Sequence, residues 1–205
     1  MSSDTSASEQ TMFQRLDTFS DAIFAVAMTL LVFSFPFSDL PSTLAQAEAE
    51  RLILSFGPQF ETFFISFVVV GAFWMGHHEM FDRVTHYDRT FVWINFMFLL
   101  CIVFMPVPTA LEVRYGSFWV PTALYAATVA ATGLLLTLLW LYASYHYRLI
   151  DQTLGQHSIR MATIRSLITP VIFLLSVPVA YFSRDIAIYM WLSNFVIGLV
   201  VHRLV

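Results

Sequence analysis

Residues 15–31 read Arg-Leu-Asp-Thr-Phe-Ser-Asp-Ala-Ile-Phe-Ala-Val-Ala-Met-Thr-Leu-Leu. Arg15, Asp17 and Asp21 open this stretch, and no ionisable residue follows before Asp39. The apolar segment from Phe13 to Phe37 exceeds the roughly 20 residues that a helix needs to cross hydrocarbon. A chain in lipid must satisfy its own backbone hydrogen bonds, so such a segment is a helix with a charged start. This reading decides the fold class: all-α and integral to a membrane.

Five further apolar segments follow. They run from Arg51 to Met75, Arg89 to Leu111, Phe118 to Tyr145, Ile164 to Phe182 and Asp185 to Val201. Composition agrees: of 205 residues 58% are hydrophobic and only 12% charged. A soluble domain carries about a quarter charged residues, so the excess apolar surface must face lipid. We expect six transmembrane helices in one domain spanning 13–205, preceded by a disordered cytoplasmic tail at 1–12. Residues Met1 to Gln10 are polar and acidic and lack the basic region of a secretory signal. No basic run points to nucleic acid. Cys101 is the only cysteine and lies in an apolar run, which excludes an internal disulfide.

The connections are short and polar. Pro36, Pro41 and Asp39 to Glu50 form the first, His77 to Asp88 the second, Glu112 to Ser117 the third and His146 to Arg160 the fourth. Ser183, Arg184 and Asp185 leave a tight turn before the sixth helix. The chain has no Lys, so topology rests on arginine. With the N-terminus inside, Arg15, Arg83, Arg89, Arg148, Arg160, Arg165 and Arg203 lie inside, and Arg51, Arg114 and Arg184 outside. Seven against three favours cytoplasmic N- and C-termini.

Ionisable groups at membrane depth are costly and need partners. Asp21 lies several residues inside the first helix. Arg15 is six positions earlier, about 120° away around the axis, so the two do not share a face. Partners are expected from other helices, with His77, His78, Trp93 and Asn95 as candidates. Beyond Asp21, the residues Ala22, Val26, Thr29 and Phe33 fall within a stripe about 60° wide. Such a stripe suits either a helix–helix contact or the wall of a pore.

Arg15, Phe19, Ser20 and Asp21 match an R-x-x-x-F-S-D signature. Phe73-Trp74-Met-Gly-His77-His78 closes the second segment, and Trp93-Ile-Asn95 opens the third, with Pro106 and Pro108 beyond. Over about the first 110 residues the chain resembles the endosomal/lysosomal potassium channel family, also called the transmembrane protein 175 family, in its prokaryotic single-repeat form. That resemblance implies a homotetramer in the plasma (inner) membrane of a prokaryote, the first helix of each subunit lining a central pore for potassium and other monovalent cations. It places apolar rings at Val26, Leu30 and Phe33, with Thr29 beside them and Ala22 towards the start. It assigns Arg15, Phe19, Ser20, Asp21, Trp74, His77, His78, Trp93 and Asn95 to a network that locks the first helix. Val26 is smaller than the family's usual residue and Phe33 larger.

No T-V-G-Y-G run occurs, so a carbonyl filter is not expected. A pore of this kind would work by constriction and dewetting. No cofactor or resident metal is expected, potassium being the permeant ion. Two rival classes compete. A membrane enzyme would use His77, His78, Asp82 and His86, of which His78, Asp82 and His86 would share a helix face and could hold a metal. A secondary transporter would favour broken helices, for which Pro170 and Pro178 in the fifth segment are candidates.

Overall fold

The computed structural model describes residues 2–35 and 45–203, with side chains from 13 to 35 and from 45 to 194. Pro36, Asp39 and Pro41 of the first connection lie outside the described residues, as do the side chains ending the sixth expected span.

Apart from one isolated bridge between Val84 and Ile150, the regular elements of the described chain are helices, and the α-helices run α1 (Ser2–Leu30), α2 (Gln46–Ser55), α3 (Gly57–Phe81), α4 (Arg89–Phe104), α5 (Pro106–Tyr115), α6 (Trp119–Ser144), α7 (Gln156–Phe182) and α8 (Arg184–Arg203). Among the described residues, five stretches are long and apolar enough to cross a membrane: Phe13–Ser34, Gln46–Phe81, Arg89–Tyr115, Trp119–Tyr147 and Gln156–Phe182. They coincide with five of the six expected segments, and α8 supplies a helix at the sixth. The protein is a multi-pass membrane protein.

Several boundaries differ from expectation. The α1 helix starts at Ser2, so it takes in the backbone expected as a disordered tail. No Gly or Pro occurs before Pro36, and nothing in the sequence interrupts the helix. At its far end α1 tightens into a 3₁₀ turn over Leu31–Ser34, where the Ser34 hydroxyl donates to the Leu31 carbonyl at 2.7 Å. The α3 helix opens on Pro58, whose missing N–H costs nothing there. It continues through His77 and His78 to Phe81, so the polar connection is shorter than the stretch from His77 to Asp88. The third span divides at Met105, because Pro106 cannot donate to the preceding turn. By contrast α7 runs unbroken through Pro170 and Pro178. The break that a transporter reading sought in the fifth span is therefore in the third.

The hub is α6, which packs on α4, α5 and α7, while α1 rests on α3 and α4, and α8 on α7. Gly133 of α6 faces Pro170, where a Cβ would come within 2.9 Å of the proline ring. That close approach lets a proline-bearing helix lie against α6. The main core joins Phe24, Val70, Phe98, Ile102, Tyr125, Phe173 and Trp191 from six helices. A second core lies at the end where α1 begins. It holds Phe81, Phe91, Leu139, Trp140 and Ile150, with Phe13 and Leu16 packed against it.

Asp88 closes that end. Its carboxylate caps α4 by accepting the Phe91 N–H at 2.8 Å, and it accepts the Tyr142 hydroxyl at 2.6 Å. Arg148 lies 3.6 Å away and also covers the Tyr142 ring. Desolvation pushes the carboxyl up, but the bonds from Tyr142 and Phe91 and the charge of Arg148 outweigh it and hold the carboxyl below its ordinary value. A depressed folded-state pKa contributes stability above the ordinary carboxylate range, about pH 4, and loses it as pH falls through the depressed value. Asp88→Ala should cost about 1 kcal/mol at neutral pH through the lost cap. Thermal melts in detergent should show that gap closing under acid; a gap independent of pH would contradict the capping role.

Candidate functional site

One face of α1 is buried and carries Ser20, Phe24, Ala27 and Leu31 at spacings of four, three and four. The face is apolar except for Ser20, whose hydroxyl donates to the Leu16 carbonyl at 2.9 Å. That leaves the Ser20 oxygen free to accept, and Asn95 Nδ2 of α4 donates to it at 3.1 Å. Asn95 Oδ1 in turn meets His77 Nε2 of α3 at 2.9 Å. Since Asn95 spends its donor on Ser20, His77 must donate through Nε2. Ser20, Asn95 and His77 are all fully buried. One short chain of hydrogen bonds thus ties α1, α4 and α3 together inside an apolar bundle. The His77 ring is sandwiched by Phe81 and Phe98, with centroids 4.1 and 5.4 Å away.

Asp21 uses a different partner. Trp74 Nε1 of α3 donates to Asp21 Oδ1 at 2.8 Å, and the Trp74 ring stacks on His78. His78 does not bond Asp21 directly, but Asp17, Asp21 and His78 present ligand atoms within 4.8 Å of one another. The sequence marks Asp17 as part of the charged helix start, but the resemblance does not assign it to the network. Asp17 lies four positions before Asp21, one helical turn away, and that spacing was the available signal.

Other expected members stand apart. Arg15 is exposed, and no hydrogen bond or ion pair joins it to another described residue. Trp93 is exposed and touches Phe96 edge-on instead of reaching Asp21, and Phe19 also meets Phe96. The face proposed for a metal dissolves. The α3 helix ends at Phe81, so His86 falls in an extended segment, where Nδ1 bonds the Thr85 hydroxyl. His77 is committed to Asn95, leaving only His78 and Asp82, 3.9 Å apart, on the shared face.

The opposite face of α1 has no partner within the described chain. Ala22, Val26, Thr29, Leu30 and Phe33 are exposed, Val26 at 52% and Phe33 at 78%. The Thr29 hydroxyl donates back to the Val26 carbonyl at 2.7 Å, so its oxygen keeps lone pairs directed outward.

Asn95→Leu removes both bonds of the buried chain and strands the His77 donor. It should lower stability by about 1–3 kcal/mol. Trp93→Phe, at an exposed ring, should change it little. Equal losses in detergent melts would argue against the buried tie.

A buried hydrogen-bonded tie within a bundle of long apolar helices, one of them uncovered on its far face, is the architecture of a multi-pass α-helical membrane protein. Residues 15–106 match the family model described as the endosomal/lysosomal potassium channel TMEM175. A Chamaesiphon minutus protein named a potassium channel is 29% identical over 192 residues, covering 91% of this chain and 90% of that protein. A Streptomyces collinus protein, also named a potassium channel, is 28% identical over 180 residues, covering 85% of each. The crystal structure of a lysosomal potassium-selective channel TMEM175 homolog from Chamaesiphon minutus superposes with a TM-score of 0.75, over 94% of this chain and 97% of that one, at 24% identity. The chain resembles the TMEM175 family in its prokaryotic single-repeat form, and the likeness extends beyond the matched segment to nearly the whole length of these bacterial relatives.

Proposed function

We propose that the chain is one subunit of a potassium-conducting cation channel, a homotetramer in which the uncovered face of α1 from each subunit lines a central pore. The observation that carries this reading is the division of α1 into two faces. Ser20, Phe24, Ala27 and Leu31 are buried, whereas Ala22, Val26, Thr29, Leu30 and Phe33 are exposed. An exposed stripe of this kind on an anchored helix suits a cyclic assembly that turns it towards a symmetry axis. The names of the bacterial relatives supply the ion.

In this arrangement Val26 and Phe33 form rings of apolar side chains, with Leu30 at the margin. Apolar rings gate by dewetting: water and ions are excluded until the ring widens. Thr29 offers a ring of hydroxyl oxygens between them. With no carbonyl filter in the sequence, an ion keeps part of its water shell, and discrimination between potassium and sodium is modest. The tie through Ser20, Asn95 and His77, with the Trp74–Asp21 bond beside it, fixes the rotation of α1 and so decides which residues face the axis. In this reading α8 is a sixth span and both termini lie on the cytoplasmic face of a prokaryotic inner membrane, a topology that the arginine bias supports. Such a protein is a conduit and not an enzyme.

The test is flux. Purified protein in liposomes should pass potassium at a rate linear in its concentration. Saturable, proton-coupled uptake would indicate a transporter, and no flux at any voltage or pH would overturn the channel reading.

A further inference from the structure

His78 loses the metal-binding partners expected along α3, but packing supplies others from α1. Asp17 and Asp21 lie one turn apart on α1, and each offers a ligand atom within 4.8 Å of one on His78. Two of the three side chains are already held in place. Trp74 Nε1 donates to Asp21 Oδ1 at 2.8 Å, and the carboxylate keeps lone pairs for a further partner. The Trp74 ring stacks on His78 at a centroid distance of 5.7 Å, which fixes the plane of the imidazole.

Asp17 supplies an independent observation. Its Oδ1 is shut off from solvent and accepts no hydrogen bond among the described residues. A buried carboxylate oxygen without a donor is costly. The two carboxylates also repel one another, and among the described residues no ion pair joins either to an arginine. Asp82 adds a further negative charge 3.9 Å from His78. A cation between Asp17, Asp21 and His78 removes both costs at once.

The donor set selects the ion. Two carboxylate oxygens and one imidazole nitrogen suit zinc or a similar transition metal, with water in the fourth position. Magnesium and calcium take oxygen ligands, and the imidazole counts against them. A tetrahedral ion about 2.1 Å from its ligands spaces them about 3.4 Å apart, so separations of up to 4.8 Å close by small side-chain rotations. The His78 side chain is half exposed, which gives the ion a path from water.

We propose that Asp17, Asp21 and His78 bind one divalent transition-metal ion, which clamps α1 to α3. Asp21 and His78 directly follow Ser20 and His77, so the clamp sits beside the buried tie and holds α1 in the same rotation.

The experiment is calorimetric titration of tag-free protein, stripped with a chelator and held in detergent, with zinc chloride. One zinc per chain should bind and raise the melting temperature. His78→Gln and Asp17→Asn should each weaken binding about 100-fold. Trp74→Phe keeps all three ligands but releases the Asp21 carboxylate, and should weaken binding about tenfold. It tests the site even if Asp17→Asn does not fold. His86→Gln, in the extended segment, should bind zinc as the unaltered protein does. No saturable binding, or binding undiminished by His78→Gln and Asp17→Asn, would overturn the proposal. So would magnesium bound as tightly as zinc, or an equal loss in His86→Gln. Zinc bound with the melting temperature unchanged would overturn the clamp.

Discussion

Arg184→Ala is expected to destabilise the protein by about 2–3 kcal/mol, less than the roughly 3–5 kcal/mol for breaking a fully buried ion pair, because Arg184 is itself 36% exposed. Glu112 on α5 has a side chain only 2% exposed, yet it carries a carboxylate in an apolar bundle. Arg184 Nε reaches Glu112 Oε1 at 3.0 Å, and the Thr122 hydroxyl donates to Oε2 at 2.9 Å. Gly116 makes room for this contact. A Cβ there would lie 2.5 Å from the Glu112 carbonyl and 3.1 Å from the Arg184 guanidinium. The pair joins α5 to the start of α8 at the end of the bundle remote from the α1 lock. Because the cost is that of a stranded charge, Glu112→Gln in the Arg184→Ala background should recover much of it. Melting of both variants in detergent checks this, and a double variant no more stable than Arg184→Ala would show that the charge is not the cause.

The second large effect concerns conduction. Val26→Ala should raise potassium flux about tenfold, equivalent to lowering the barrier by about 1.4 kcal/mol. In the proposed tetramer one substitution widens the ring at four points and makes it easier to wet. Phe33→Ala should also raise flux. The ring whose truncation has the larger effect is the narrower of the two, which settles whether a small Val26 moves the constriction towards the bulky Phe33. Phe33 lies on the 3₁₀ turn at Leu31–Ser34, so its position on the stripe depends on a local winding different from that of α1. Unchanged flux in both variants, with assembly intact, would argue against constriction at either ring.

Much of α1 was legible in the sequence because membrane energetics leave few options. Polar side chains on an apolar helix must find partners, and this singled out Ser20, Asp21, His77 and Asn95 before any coordinates. The identity of each partner was not legible. Trp74 and not His77 or Asn95 serves Asp21, because three residues along α3 rotate the side chain to the adjoining face. The cluster of His78, Asp82 and His86 failed for a related reason. Spacing by four is meaningful only while the helix continues, and α3 stops at Phe81. The bond between Glu112 and Arg184 was missed because both were read as members of separate connections. The third and fifth connections each hold one acidic and one basic residue, Glu112 with Arg114 and Arg184 with Asp185, so charge alone does not say which of them pair. Met105 illustrates the reverse case, where Pro106 and Pro108 were noted but the division of the span into α4 and α5 was not inferred.

The central claim is that the uncovered face of α1 lines the conduction path. It is tested most directly by placing a single thiol on that face. Cys101→Ser removes the native thiol, and Val26→Cys in that background provides a new one. A charged thiol reagent added to potassium-loaded liposomes should then stop most of the flux, while the same reagent on Leu138→Cys, exposed on α6, should leave flux unchanged. Complete modification of Val26→Cys, verified by mass, with flux undiminished would contradict the account.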